Sequence, residues 1–429
     1  MKRVALWSVL FVVIVGVTAG ITALLVNIME RKREAQEVAV KLVEVGKNEP
    51  DPAIWGQNWP RQYAGYLRTR ESNSRTKYGG SVPYQKLDEN PRLRRLFAGN
   101  PFSKDYKEDR GHAWSLVDVK ETLREPKPGT CMTCKSGNVS GFLEEAGSAA
   151  QFYATPFATW AAKAQHGVSC VDCHDPATMN LRISRPALLE ALERRKVNIA
   201  NASRQEMRSY VCAQCHVEYY FRGEGRYLVF PWDKGLTVDD IERFYDEYGF
   251  RDFTHAESGA PMLKMQHPEF ELFTTGIHYQ AGVSCADCHM PYKREGAVKI
   301  TDHWVRSPLL NIAGSCMTCH RASEEELRQR VERIQERTYN LMVRAEEAIL
   351  AAIDSIKAAK EAGASDEMLQ EARLLHRKAQ VRWDFVSAEN SMGFHSPQEA
   401  ARILGEAIDY ARQAELSISR AKLALGPLQ

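Results

Sequence analysis

All ten cysteines of this chain fall in C-x-x-C pairs: Cys131/Cys134, Cys170/Cys173, Cys212/Cys215, Cys285/Cys288 and Cys316/Cys319. The residues that follow the pairs are Lys135, His174, His216, His289 and His320. Four of the five pairs therefore read C-x-x-C-H, the attachment signature of c-type haem. The spacing follows from the chemistry: two thiols form thioethers with the haem vinyl groups, and the adjacent imidazole reaches the iron as proximal ligand. Structural zinc also uses paired cysteines, but the interval from Cys134 to Cys170 is long for a zinc ribbon, and zinc gives no reason for a histidine at one offset four times. A thioredoxin-like redox C-x-x-C is usually single. With 12 histidines in 429 residues, four coincidental placements have odds on the order of one in a million. The pattern predicts five covalently bound haems.

The first pair departs from the rule, because Lys135 stands where histidine belongs. One reading is a lost haem site, or a zinc or thiol pair. The other is a haem whose proximal ligand is the lysine amine, which binds iron only when neutral. Such a haem differs electronically from its neighbours and is the natural candidate for an iron open to substrate. Eight histidines lie outside the attachment motifs: His112, His166, His255, His267, His278, His303, His376 and His395. Four C-x-x-C-H haems of the bis-histidine type would draw four distal ligands from them.

These sites need positioning elements. Charge is nearly balanced, 57 Lys+Arg against 55 Asp+Glu, which argues against a nucleic-acid protein driven by bulk positive charge. The apolar fraction of 44% and charged fraction of 26% are those of a globular chain. Val4 to Met29 carries no charged side chain and is long enough to cross a bilayer. Residues 1–29 read as an uncleaved anchor, with a cleaved signal as the rival, and residues 30–50 as a charged stalk, helical to about residue 48 and broken by Asn48-Glu49-Pro50-Asp51-Pro52. Haem attachment occurs outside the cytoplasmic membrane, so the rest of the chain is expected on its periplasmic or exterior face.

Residues 51–321 hold every attachment motif. At that density the haems themselves are expected to supply much of the apolar interior, in place of an ordinary core. Gly167-Val168-Ser169-Cys170 and Gly282-Val283-Ser284-Cys285 repeat a local pattern ending in Asp-Cys-His. From Ser323 the composition changes. Leu327, Val331, Ile334, Leu341, Ala345, Ile349, Ile353 and Ile356 follow helical spacing, Gly363-Ala364-Ser365 breaks it, and further helices are expected over 366–387 and 397–425. Residues 322–429 thus read as a helical bundle whose long apolar stripe admits a homodimer interface. The fold class expected is mainly α, a multihaem cytochrome c with little β structure.

The chain resembles the pentahaem cytochrome c nitrite reductases, which reduce nitrite to ammonium. One C-x-x-C-K followed by four C-x-x-C-H carries the resemblance. Further stretches agree: Arg110-Gly111-His112-Ala113-Trp114, His216-Val217-Glu218-Tyr219-Tyr220, Lys264-Met265-Gln266-His267-Pro268, Cys288-His289-Met290-Pro291 and Gly393-Phe394-His395. It covers about residue 50 to the C-terminus. The resemblance implies that Arg110, Tyr219 and His267 form a catalytic trio over the Lys135-ligated haem. It implies a calcium site of Glu218, Gln266 and the backbone carbonyls of Tyr219 and Lys264. It also implies distal ligands: His303 for the Cys170 haem, His112 for the Cys212 haem, His395 for the Cys285 haem and His278 for the Cys316 haem. His166, His255 and His376 stay unassigned, with His166 the alternative ligand. Hydroxylamine, nitric oxide and sulfite are implied as side substrates, and a membrane quinol-dehydrogenase-type multihaem cytochrome as electron donor.

The residue types suit these roles. Arginine presents a charged planar fork to a small anion, histidine passes protons near neutral pH, and a tyrosine hydroxyl donates to a bound intermediate. Calcium prefers the oxygen ligands on offer. The rival reading from another class is a non-enzymatic multihaem electron carrier with every iron six-coordinate.

Overall fold

The computed structural model describes residues 2–37, 41–71, 73–108, 110–296 and 298–424. The fold is mainly α. Among the described residues the strands form three two-stranded antiparallel hairpins: Tyr220–Arg222 with Tyr227–Val229, Phe253–Thr254 with Pro261–Met262, and Tyr292–Glu295 with Val298–Thr301.

The chain starts with a helix over Lys2–Glu37. Within it Arg3–Arg31 contains an 18-residue stretch of mean hydropathy 2.8, none of it buried among the described residues. The expected stalk helix does not run to residue 48. Residues 41–50 are turn and extended chain, because Asn58 captures them: its side chain accepts from Leu42 and Val43 N–H and donates to the Val43 carbonyl. Residues 38–40 of the stalk lie outside the described residues. Asp51 caps the next helix, Pro52–Asn58, by accepting from Ala53 N–H.

Short helices and loops then carry the attachment motifs. The repeated Ser-Cys-x-Asp-Cys-His pattern has a local cause. Ser169 and Asp172 form a capping box around the single turn Cys170–Cys173, and Ser284 and Asp287 do the same around Cys285–His289. Each box acid also takes an arginine, Arg185 on Asp172 and Arg208 on Asp287. An ordinary apolar core does exist in this region, contrary to the sequence expectation. Leu116, Met132, Phe152, Trp160, Leu188 and Trp232 belong to one buried cluster on the flank of the Cys131 motif.

The C-terminal helices are Glu324–Glu361, Asp366–Ala388 and Pro397–Ala424. Residues 425–429, including the expected end of the last helix at Leu425, lie outside the described residues. Ser323 and Glu326 make a capping box at the start of the first helix. At about 1.5 Å per residue its 38 residues span about 57 Å. Ile349, Ile353 and Ile356 interlock with Ala372, Ala379, Ala400, Ile403 and Leu404 in a second core. The alanines let the helix backbones approach closely. Of the expected stripe, Ile334 and Leu341 are only half-buried: Ile334 faces the cavity of the attachment motifs, and Leu341 packs at the edge of the bundle core.

Candidate functional site

A continuous cavity of about 2850 Å³ runs through the motif region, several times the roughly 300–1,000 Å³ of a single ligand pocket. Protein interiors pack with few voids larger than a water, so a space of this size is built for bulky groups. All ten cysteines line it, as do Lys135, His174, His216, His289 and His320. The motifs lie close to one another. Cys134 neighbours Cys215 and Cys212 neighbours Cys285, while Cys173 lies near enough to Cys215, and Cys288 to Cys316, for their charges to be felt. The five attachment points therefore form one group, with the Cys212/Cys215 motif next to those of Cys131/Cys134 and Cys285/Cys288. None of the cysteines is disulfide-bonded. Among the described residues no three His, Cys, Asp or Glu side chains converge to hold a metal ion.

Four histidine pairs face each other across the cavity. Ring centroids are 6.2 Å apart for His174 and His303, 6.4 Å for His112 and His216, 6.4 Å for His289 and His395, and 6.2 Å for His278 and His320. A metal–imidazole bond is about 2 Å and a ring nitrogen sits about 1 Å from its ring centre, so two rings flanking one metal stand about 6 Å apart. The rings are also oriented. His174 Nδ1 meets the Met179 carbonyl at 3.0 Å, His289 Nδ1 the Arg306 carbonyl at 3.0 Å and His303 Nδ1 the Thr301 carbonyl at 2.9 Å. A carbonyl only accepts, so Nδ1 carries the proton and Nε2 keeps its lone pair for a metal. His395 Nδ1 lies 2.5 Å from Glu389 Oε1. Burial pushes His112, His289 and His303 down to about 4, which keeps them in the neutral form that metals bind. His216 goes the other way, to about 9: burial opposes its charge, and Glu269 outweighs burial.

His255 and His376 behave differently. His255 Nε2 meets the Arg95 carbonyl while Nδ1 accepts from Glu257 and Ser258 N–H, and His376 bonds Ser258 through Nδ1 and Gln380 through Nε2. Both nitrogens of each ring are spent inside the fold. His166 contributes its backbone carbonyl, to Ser136 Oγ and Gly137 N–H, and is not among the residues lining the cavity.

Two glycines set the distal loop. Gly393 has φ of 74°, and a Cβ there would lie 2.6 Å from Thr338 Oγ1. A Cβ on Gly276 would lie 2.0 Å from the His395 carbonyl oxygen. Both let His395 and His278 approach the same stretch of cavity.

The residues around Lys135 converge from distant segments. Arg110, Tyr219 and His267 line the same cavity. Burial, then Cys134 and Cys131, push the Tyr219 hydroxyl well above its usual range, so it stays a donor. The Arg110 fork is not wholly turned to the cavity: Asp118 takes Nε at 2.8 Å and Nη2 at 2.5 Å. His267 Nδ1 lies 3.8 Å from Glu269 Oε1. Arg185, itself buried, donates to the Thr133 and Ser136 carbonyls on either side of Lys135 and pairs with Asp172, tying the first motif to the second. Arg306 Nε is buried on the cavity wall without a hydrogen-bond partner, and a haem propionate is a group that would satisfy it.

Beside this site Glu218 is buried with neutral partners. Its Oε1 accepts from Tyr245 at 2.8 Å and its Oε2 from Gln266 N–H at 2.6 Å. Burial pushes Glu218 well above the usual carboxylate range and Asp252 up to about 6. Lys264 Nζ turns away to Asp384, leaving its carbonyl 2.9 Å from the Gln266 side-chain amide. Rotating that amide by half a turn sets two oxygens side by side, a pair of donors suited to a cation. The donor set fits calcium. Sequence reading missed Asp118, Glu269, Asp252, Glu389 and Arg185, since none of them belongs to a recognisable motif and several meet groups far along the chain, as Glu269 meets His216 and Arg185 meets Thr133.

The cytochrome c552 family model matches residues 51–427. The chain belongs to the cytochrome c552 family. Curated cytochromes c-552 are similar along most of their length. That of Bacteroides fragilis is 45% identical over 404 residues, covering 92% of this chain and 82% of the relative. That of Porphyromonas gingivalis is 42% identical over 405 residues, covering 92% and 81%. Among solved structures, the cytochrome c nitrite reductase of Desulfovibrio desulfuricans superposes with a TM-score of 0.85 at 34% identity, covering 90% of each chain. Its catalytic subunit is described with two calcium sites. A cytochrome c552 carries covalent haem, which suits the thiol-lined cavity, the paired imidazoles and the unsatisfied arginine nitrogen. The match begins at Asp51, so the apolar N-terminal helix of this cytochrome c552 lies outside it.

Proposed function

We propose that this cytochrome c552 is an ammonia-forming nitrite reductase with five haem c groups, one on each C-x-x-C pair. The observation that carries the reading is the single cavity lined by all five motifs, four facing histidine pairs and Arg110, Tyr219 and His267. Four haems would be held by His174/His303, His216/His112, His289/His395 and His320/His278. Lys135 would hold the fifth, the one that would serve substrate. The haems, when bound, supply electrons and an iron coordination position for nitrite.

The chain's own groups do the rest. Asp118 fixes the Arg110 guanidinium by two nitrogens, so the remaining edge meets the anion in a set orientation. His267, with Nδ1 turned to Glu269, has Nε2 to hold and deliver protons. The Tyr219 hydroxyl donates a hydrogen bond to substrate oxygen or nitrogen. Glu218, Gln266 and the carbonyls of Tyr219 and Lys264 would hold calcium, and through it would keep Tyr219 and the segment leading to His267 in place. The net reaction takes nitrite to ammonium with six electrons and eight protons. Hydroxylamine, nitric oxide and sulfite are further substrates of the same site. The N-terminal helix anchors the enzyme at the periplasmic or exterior face of the membrane. There a quinol-dehydrogenase-type multihaem cytochrome supplies electrons, and the long C-terminal helices pair two copies.

The test is ammonium formed per nitrite consumed by haem-loaded protein with reduced viologen. One-to-one conversion that fails in Arg110→Ala and His267→Ala supports the reading. Nitric oxide as main product sinks the six-electron claim, and no turnover in fully loaded protein favours an electron carrier.

A further inference from the structure

Glu269 is an acid buried among attachment motifs, and the proposed chemistry makes no direct use of it. One oxygen, Oε1, serves three partners: His216 Nδ1 at 3.6 Å, His267 Nδ1 at 3.8 Å and Asn390 Nδ2, which donates at 2.6 Å. The backbone repeats the link. Glu269 N–H donates to the His267 carbonyl at 2.8 Å, and Phe270 N–H donates to the His216 carbonyl at 3.1 Å. His216 belongs to the Cys212/Cys215 motif, whose cysteines neighbour those of the Lys135 motif and of the Cys285 motif. The buried carboxylate is thus shared by the ring next to substrate and the ring of the adjoining redox centre. Asn390 anchors it from the loop whose previous residue, Glu389, contacts His395.

We infer that Glu269 is a positioning residue that couples the Cys212/Cys215 haem to the substrate pocket, by holding the Nδ1 edges of His216 and His267 on one carboxylate oxygen. The inference rests on the proposed function, in which His216 is an iron ligand and His267 serves the substrate. A carboxylate on the outer nitrogen of a ligating imidazole fixes its tautomer and makes the ring a stronger donor, which favours the oxidised metal. The same carboxylate holds the second ring, which lines the cavity, by its Nδ1 edge. A change at either ring is felt at the other through one atom. No local motif marks this role, since Glu269 follows His267 by two residues but His216 by more than fifty.

The experiment is a redox titration of the haem-loaded full chain followed by electron paramagnetic resonance, on wild type, Glu269→Gln and Glu269→Asp. The signal of the Cys212/Cys215 haem is identified by its loss in His216→Met. Glu269→Gln is expected to raise the midpoint potential of that haem alone. It should also lower turnover by about 10–100-fold with less change in KM for nitrite, and Glu269→Asp should restore part of both. In a His267→Ala background the potential shift should persist, because it acts through His216. Should Glu269→Gln fail to mature, Asn390→Ala loosens the carboxylate without removing it and should shift the potential the same way by less. An unchanged potential in mature Glu269→Gln overturns the inference. If His216→Met leaves every low-spin signal intact, the ligand assignment beneath it is wrong instead.

Discussion

His174 and His303 face each other with ring centroids 6.2 Å apart, and each turns Nδ1 to a backbone carbonyl. The two residues come from an attachment motif and from the end of a distant hairpin. Their shared orientation leaves both Nε2 lone pairs free for a metal. Replacing His303 with methionine should convert one low-spin bis-histidine signal to a histidine–methionine one and leave the other three. Magnetic circular dichroism in the near infrared reads this directly. Unaltered spectra would remove His303 from the ligand set.

The proposed function gives proton delivery to His267. His267→Ala should lower nitrite turnover by about 10²–10⁴-fold, the usual worth of a positioned acid–base group. Asp118→Asn should act on binding, because it frees the Arg110 fork to rotate; KM for nitrite should rise more than kcat falls. Steady-state kinetics with reduced viologen separates the two. Equal effects on both parameters in Asp118→Asn would show that Asp118 supports chemistry rather than anion capture.

Arg185 joins the Lys135 motif to the Cys170 motif through buried contacts to Thr133, Ser136 and Asp172. Arg185→Met leaves Asp172 as an unpaired buried charge, a loss of about 3–5 kcal/mol. Chemical denaturation of the haem-loaded protein should show a drop of that order. A drop under about 1 kcal/mol, no more than an exposed ion pair is worth, would mean that solvent reaches Asp172.

Glu271 is fully buried, and its Oε1 accepts from Trp232 Nε1 and Glu218 N–H. Burial raises it to about 8 from an ordinary 4.5. The folded protein therefore holds a proton that the unfolded chain has released between those two values, so this group favours folding less as pH rises across that window. Glu271→Gln keeps the acceptor oxygen and removes the titration. Melting temperatures measured at pH 5 and pH 8 should differ less in the variant than in wild type. Equal slopes would mean that Glu271 is ionised in the folded state.

Calcium should matter through Glu218. Chelation should lower both the melting temperature and nitrite turnover, and readded calcium should restore them. In Glu218→Gln the readded ion should do little, because the charged ligand is gone. Full activity after exhaustive chelation, with no calcium left by metal analysis, would remove the ion from the mechanism.

The sequence alone determined what is covalent and what is local. The C-x-x-C-H spacing depends on a thioether and an imidazole held within five residues, so Cys170 to His174 announces itself without a fold. The capping serine at Ser323 and the helical stripe that follows are likewise short-range, set by hydrogen bonds and periodicity within a turn or two. The stalk expectation failed because Asn58, a residue beyond the helix, captures Leu42 and Val43. Only the tertiary structure paired His112 with His216 and His289 with His395 by geometry, since their rings come together by packing and not by spacing. It also decided that Asp118 holds Arg110 and that Glu269 serves two imidazoles. A buried charge must find its partners wherever the chain brings them, and nothing within a few residues of Glu269 specifies that His216 will be there.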